Sequence, residues 1–373
     1  MQITGLELIR VAVNQRGDWL CVRLSTDEGL SGLGEASHGG FGPRRDAIVA
    51  AILAEQCRPL LVGADPRAPL AALAPLQALV AGQGLAHATA LSACEQALWD
   101  LAGRAAGVSV ARLFGGPLRE RIPLYANINR ATNDRTPEGF ARNAAAAVAE
   151  GFRAVKLAPF DGMDRRRLRD PDQRARLHHG LACIAAVRAA IGADLDCYVD
   201  CHSRFDLPTA IEVAAELRRL GVWWFEEPVP TDDLDALRAL RPLVPDLELI
   251  GGEHLYEVAG FWPYLAAGVW DRIMPDVKHC GGIAAATAIG RLAEARGVAA
   301  NLHSPSGPVS LVASAHVAAV LPQPRLLEYA WGEVPWRGTL TTPHEQIERG
   351  ELILPSGPGL GIALDDASVA DHA

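Results

Sequence analysis

The 373-residue sequence has no apolar run near the ~18 residues that a membrane span needs, so no transmembrane helix is expected. Its opening, MQITGLELIR, has neither a basic stretch ahead of an apolar one nor a small-residue cleavage site, so no secretory leader is expected. The seven cysteines, at positions 21, 57, 94, 183, 197, 201 and 280, are odd in number and form no CxxC pair. That excludes a disulfide framework and implies reduced thiols in a cytoplasmic protein. Basic residues are outnumbered, 35 against 44, leaving a net charge of -9. A nucleic-acid partner is therefore not expected. Gly32-x-Gly34 lacks the further glycine that would open a phosphate-binding helix and reads as a turn.

What is present is a globular composition, 49% apolar and 21% charged, in a chain long enough for two domains. Residues 2–13 and 19–26 read as antiparallel strands turned at Asp27-Glu28-Gly29, and 45–62 and 86–106 as helices. In the second helix Ala90, Cys94, Ala97, Leu98 and Leu101 recur at helical spacing, with Gly107 as its stop. An α+β domain over roughly 1–120 follows. From 121 short apolar runs alternate with amphipathic helices: 123–128, 154–157, 195–200, 223–226, 247–251, 272–276, 299–303 and 326–329. Eight such runs predict an α/β fold, a modified TIM (β/α)8 barrel over 121–330. The segment 331–373, with a strand at 351–354, is expected to pack on the N-terminal domain. The stretch 161–176, dense in arginine and aspartate, reads as a solvated loop.

The ends of those runs carry Lys156, Asp200, Glu226, Glu253, Asp276, His303 and Glu328, the last six spaced by 23 to 27 residues. In such barrels the reactive groups sit at the C-terminal ends of the strands. A carboxylate after a strand often only caps the next helix, but the shared register of all seven outweighs that reading. Asp200, Glu226 and Glu253, on three consecutive strands, would repel one another without a cation. An oxygen-only ligand set selects Mg²⁺ before Ca²⁺. Whether Glu226 or its neighbour Glu227 faces the axis is left open by the spacing. Asp276 and His303, on adjacent strands, form a carboxylate–imidazole pair suited to a general base. His202, two residues past Asp200, is a candidate general acid.

The motifs TDEGLSGLGE, ALWDLAGRAAG, VDCH, FEEP, GGEH, PDVKHCGG and LHSPSGP, in this order, resemble the enolase superfamily, mandelate racemase subgroup, over essentially the whole chain. The resemblance implies an N-terminal cap, completed by C-terminal residues, over a barrel that binds Mg²⁺. It assigns the metal to Asp200, Glu226 and Glu253 and the basic dyad to Asp276 and His303. Within the subgroup the sequence is most similar to acid-sugar dehydratases of the D-galactonate dehydratase type, in which Asp-x-His, here Asp200-Cys201-His202, supplies ligand and acid. Glu328 matches that type's strand-eight glutamate, placed to bond an enolate oxygen or to orient His303. The racemases' Lys-x-Lys reads Lys156-Leu157-Ala158 here, so the second base is missing. Lys156 is then expected to bind the substrate carboxylate or an oxygen on the metal side.

The activity so implied is removal of the proton α to a carboxylate and loss of the β-hydroxyl, giving a 2-keto-3-deoxy acid from an acid sugar. Rival readings are a racemase, epimerase or cycloisomerase on the same scaffold, a metal-independent glycosidase-like barrel, and a non-catalytic sensor. Substrate contacts are expected from cap loops 14–19 and 38–42, with Arg16 and His38, and from Asn127, Arg130, His254 and Trp331. The family also implies a symmetric homo-oligomer.

Overall fold

The computed structural model describes residues 1–14, 17–38, 44–323 and 326–373. The chain opens with β1 (Ile3–Asn14), β2 (Gly17–Thr26) and β3 (Ser31–Glu35), an antiparallel sheet in that order. Helix α1 (Arg45–Ile52) runs through a π turn into α2 (Arg58–Leu61), followed by α3 (Pro69–Val80), α4 (Leu85–Ala106) and the short α5 (Val110–Leu113). Gly107, at φ 69°, ends α4 as expected. Helix α4 lies on the sheet with almost no gap. A Cβ on Gly34 would fall 2.0 Å from the Ala93 carbonyl oxygen, and one on Gly32 2.3 Å from that of Ala97.

The barrel strands are β4 (Arg121–Asn127), β5 (Ala154–Leu157), β6 (Asp196–Asp200), β7 (Trp224–Glu226), β8 (Glu248–Gly251), β9 (Arg272–Ile273), β10 (Ala299–Ala300) and β11 (Leu327–Ala330). Each pairs in parallel with the next, and β11 returns to β4, with a Leu302–Leu327 bridge closing the ring. The helices between them are α6 (Pro137–Ala149), α7 (Pro171–Ile191), α8 (Leu207–Arg219), α9 (Leu234–Leu240), α10 (Glu257–Ala267), α11 (Ile283–Ala295) and α12 (Pro308–Val320). Local sequence sets several helix starts. The side chains of Thr136, Asp206 and Asp233 accept the free N–H groups of Gly139, Thr209 and Ala236.

The last forty residues divide, where the sequence suggested one destination. After β12 (Thr341–Thr342), a hairpin of β13 (Ile347–Glu348) and β14 (Glu351–Ile353) adds antiparallel to the start of β4. The cap is reached before the hairpin by Trp336, whose ring lies 5.4 Å from that of Trp19, and after it by the remainder: Val110 N–H donates to the Gly359 carbonyl and Ala12 N–H to that of His372. That stretch holds β15 (Ala363–Leu364) and α13 (Asp366–Asp371). The hairpin goes elsewhere because the first residues of β4, below the level where β5 pairs, leave an open edge.

Strand alternation determines what fills the barrel. Tyr125, Ala154, Tyr198, Trp224, Ile250 and Met274 form a closed apolar cluster in its lower half. Two residues further along the same strands come Asn127, Lys156, Asp200 and Glu226. The apolar plug therefore sits directly beneath the ionisable groups and denies them water from below.

Candidate active site

Alternation settles the choice between the two glutamates. Trp224 points inward, so Glu226 does too, and Asp200 and Glu226 are direct register partners on β6 and β7. Glu226 accepts hydrogen bonds from Trp224 Nε1 at 2.7 Å and Lys156 Nζ at 2.8 Å. Glu227, just past the strand end at φ 37°, instead accepts from Gly252 N–H at 3.1 Å and Ser203 Oγ at 3.3 Å.

Asp200, Glu226 and Glu253 are buried, and each offers an oxygen within 4.8 Å of the others. Burial, then the neighbouring Asp200, pushes the Glu226 carboxyl well above its usual range. Glu253 rises likewise, through burial and then Glu227 and Asp200. Asp200 escapes: burial would raise it too, but His202 and Lys156 outweigh this and hold it low. Three buried carboxylates with one lysine among them lack positive charge, and the donors are all oxygen. Glu253 Oε2 is buried without a hydrogen bond among the described residues. These residues fit a hard divalent cation. Glu227, Glu253 and His254 form an overlapping group that shares Glu253 with the first.

Lys156 lies within this cluster, 2.8 Å from Glu226, 2.9 Å from Glu328 and 3.6 Å from Asp200. It is buried and does not line the open cleft, lying instead beside the oxygens of the acidic cluster. Asn127 is also below the cleft floor, donating from Nδ2 to Glu328 Oε1 at 2.6 Å. Glu328 in turn accepts from Ser304 N–H at 3.2 Å and stands 3.7 Å from His303 Nε2.

The dyad is assembled. His303 Nδ1 is 2.7 Å from Asp276 Oδ2, and the two residues form a parallel bridge that extends β9 and β10. Asp276 also accepts from Lys278 N–H at 2.7 Å and from Lys278 Nζ at 2.5 Å. Burial would raise Asp276, but Lys278, His279 and His303 together hold it well below the ordinary carboxylate range. An ionised Asp276 can only accept, so Nδ1 carries a proton and Nε2 is the ring nitrogen turned toward the site. The stabilising Lys278 went unassigned in the sequence, although it lies in the motif PDVKHCGG, two residues after Asp276.

A second carboxylate–imidazole pair faces the first. His202, at φ 45°, is 2.5 Å through Nδ1 from Asp161 Oδ1 and 2.9 Å through Nε2 from Asp200 Oδ2. Burial opposes its charge, but Asp200 and Asp161 raise its pKa well above the usual imidazole value. Asp161 also pairs with Arg135 at 3.2 Å. This corrects the reading of 161–176 as a merely solvated loop: its first residue is built into the site.

Above these groups opens a cleft of about 760 Å³. His202, Glu253 and His303 line it, as do the expected contacts His38, Arg130 and His254. Arg16 and the loop 39–42 lie outside the described residues. Trp331 does not line the cleft. Its Nε1 donates to Glu150 Oε2 at 2.8 Å, beyond the end of α6, because the chain has by then left β11.

The cap holds the loops that carry the dyad. On α4, Glu95 accepts the first N–H groups of α11, from Ile283 at 2.6 Å and Ala284 at 2.8 Å. Ser92 Oγ accepts from Gly281 N–H, and Thr89 Oγ1 meets His279 Nδ1 at 2.9 Å. Glu35, at the end of β3, does the same for α12, taking the N–H groups of Gly307 and Ser310, each at 2.8 Å. Both carboxylates take up N–H groups that a helix leaves free at its start. None of these residues was singled out in the sequence.

Residues 7–115 match the family described as "Mandelate racemase / muconate lactonizing enzyme, N-terminal domain", and residues 139–368 match "Enolase C-terminal domain-like". A D-xylonate dehydratase from Haloferax volcanii is 30% identical over all of this chain and 89% of its own length. A D-galactonate dehydratase from Verminephrobacter eiseniae is 31% identical over all of this chain and 94% of its own. The crystal structure of a mandelate racemase/muconate lactonizing enzyme-like protein from Rubrobacter xylanophilus superposes with a TM-score of 0.87. It is 31% identical and covers all of this chain and 97% of that one. With its capped parallel barrel and the acidic rim that the sequence resemblance anticipated, the chain belongs to the enolase superfamily, in its mandelate racemase/muconate lactonizing enzyme group.

Proposed function

We propose that the protein is a Mg²⁺-dependent hydro-lyase that dehydrates an acid sugar to a 2-keto-3-deoxy acid. The names of its relatives support a dehydratase. The observation that carries the reading is the pair of opposed histidines, each oriented by its own carboxylate, on either side of one acidic cluster.

Asp200, Glu226 and Glu253 would hold the cation, which supplies Lewis-acid stabilisation of charge on the substrate carboxylate. His303 Nε2 takes the proton from the α-carbon, and Asp276 stabilises the imidazolium that results. Lys156 adds fixed positive charge beneath the resulting ene-diolate. His202, kept charged by Asp161 and Asp200, gives its proton to the β-hydroxyl as the C–O bond breaks, so water departs. The enol left behind takes a proton at the β-carbon and becomes the keto acid. Ala158 offers no base on the other face, which disfavours racemisation.

Incubating the Mg²⁺-loaded protein with a panel of acid sugars should yield keto acid, detected as its semicarbazone. Return of α-deuterated, inverted substrate from D₂O without keto acid would overturn the reading in favour of an epimerase.

A further inference from the structure

Gln96 lies in the middle of α4, fully buried, with both halves of its amide engaged. Strand β3 is the edge of its sheet, with no further strand to take the outward backbone groups of Glu35. Gln96 fills that place. Its Oε1 accepts from Glu35 N–H and its Nε2 donates to the Glu35 carbonyl, each at 3.2 Å. The same Nε2 donates at 3.3 Å to the carbonyl of Val277, the residue after Asp276. Both amide hydrogens and the amide oxygen are thus in use, and a flipped amide would oppose all three bonds.

Glu35 carries the tie onward. Its carboxylate accepts from the N–H groups of Gly307 and Ser310, and Ser37 Oγ braces it by donating to Oε1 at 2.7 Å. Gly307 permits this approach, since a Cβ there would fall 2.7 Å from Glu35 Oε2. Gly307 opens α12, on the segment that leaves His303. One amide therefore joins the segment after Asp276 to the side chain that holds the segment after His303. The barrel itself does little to fix these two groups. Strands β9 and β10 pair over only two residues each, and beyond them Asp276 and His303 meet in a single isolated bridge.

We propose that Gln96 is a positioning residue for proton abstraction, holding the Asp276–His303 pair in register from the cap through Val277 and Glu35. This rests on the reading of His303 as the base. Gln96 does not line the cleft, so it acts through the pair alone. Misplacing a reacting group by about 1 Å costs on the order of 100-fold in rate, which sets the size of the effect.

The test is Gln96→Met in the Mg²⁺-loaded protein, which keeps the length of the side chain and removes all three bonds. The probe is whichever acid sugar of the panel exchanges its α-proton fastest in D₂O. Exchange, followed by NMR, and kcat should both fall about 10- to 100-fold, while KM and the Mg²⁺ affinity read by calorimetry stay within about threefold. In an Asp276→Asn background the same substitution should cost less than about threefold more, because the pair it positions is already broken. Gln96→Glu keeps the acceptor for Glu35 N–H and should give a smaller loss in the same direction. It serves if the Met variant does not fold. A full loss repeated in the Asp276→Asn background, a KM that rises as kcat falls, or exchange that stays near the wild-type rate would each overturn the positioning role. Exchange that slows as expected in a protein that forms no keto acid would overturn the dehydratase reading and leave the role of Gln96 standing.

Discussion

His303 and Glu253 meet across the mouth of the barrel, with Nε2 of the imidazole 3.1 Å from Oε2 of the carboxylate. The contact lacks the alignment of a hydrogen bond, which leaves that oxygen unsatisfied. The nitrogen proposed to take the proton thus touches a carboxylate proposed to hold the cation, so base and ligand are parts of one constellation.

Separating their roles calls for His303→Asn. The amide keeps a polar group near Asp276 but cannot accept the α-proton. We expect kcat to fall by about 10²–10⁴-fold, while Mg²⁺ and substrate affinities, read by calorimetry, stay within about threefold. A change in kcat below tenfold would place the base elsewhere.

Removing the cation should be visible without any substrate. Chelation by EDTA should abolish turnover and lower Tm, because three buried carboxylates lose their neutralising partner. Adding Mg²⁺ at 100 times its Kd should restore about 2.7 kcal/mol of stability, a shift of several degrees. Glu253→Gln should lose most of that Mg²⁺-dependent shift. A Tm that ignores both EDTA and the substitution would count against the site.

Asp161→Asn addresses the acid. Without that carboxylate His202 loses both an orienting partner and a charge that raises its pKa. Dehydration should slow by about 10–100-fold. Exchange of the α-proton in D₂O, followed by NMR, should persist because Asp276 and His303 are untouched. Equal losses of exchange and dehydration would show that Asp161 serves the whole site rather than the departing hydroxyl.

Glu95 predicts a pH dependence of stability. The N-terminus of α11 favours its ionised form, but burial is the larger effect and pushes its pKa up to about 8. The folded protein therefore keeps a proton that the unfolded chain loses above about 4.3. Its contribution is complete below that pH and declines as pH rises toward 8, by up to about 1.4 kcal/mol per unit. Glu95→Gln cannot titrate, so its Tm should fall less steeply than wild type between pH 5 and 8. Parallel profiles would mean that Glu95 is already ionised in the fold.

The strand-end residues were legible because two regularities coincide in them: alternation along each strand and a pitch near 25 residues per unit. Spacing alone did not separate Glu226 from Glu227, yet counting back to the inward Trp224 does. Asp161 was not legible, since it meets His202 from 41 residues away and sits among charges that resemble solvated surface. Helix α4 is buried on more than the face its apolar stripe marks. Besides the apolar stripe, Thr89, Ser92, Glu95 and Gln96 are buried as well, against the barrel. A polar stripe announces solvent only when no second body covers it.

That covering bears on how anything enters. With a carboxylate of β3 clasping one barrel helix and a carboxylate of α4 clasping another, the N-terminal layer cannot swing away as a door without tearing both helix starts open. Whatever admits a molecule has to work on the scale of a single loop, and the frame around the two histidines stays fixed while it does.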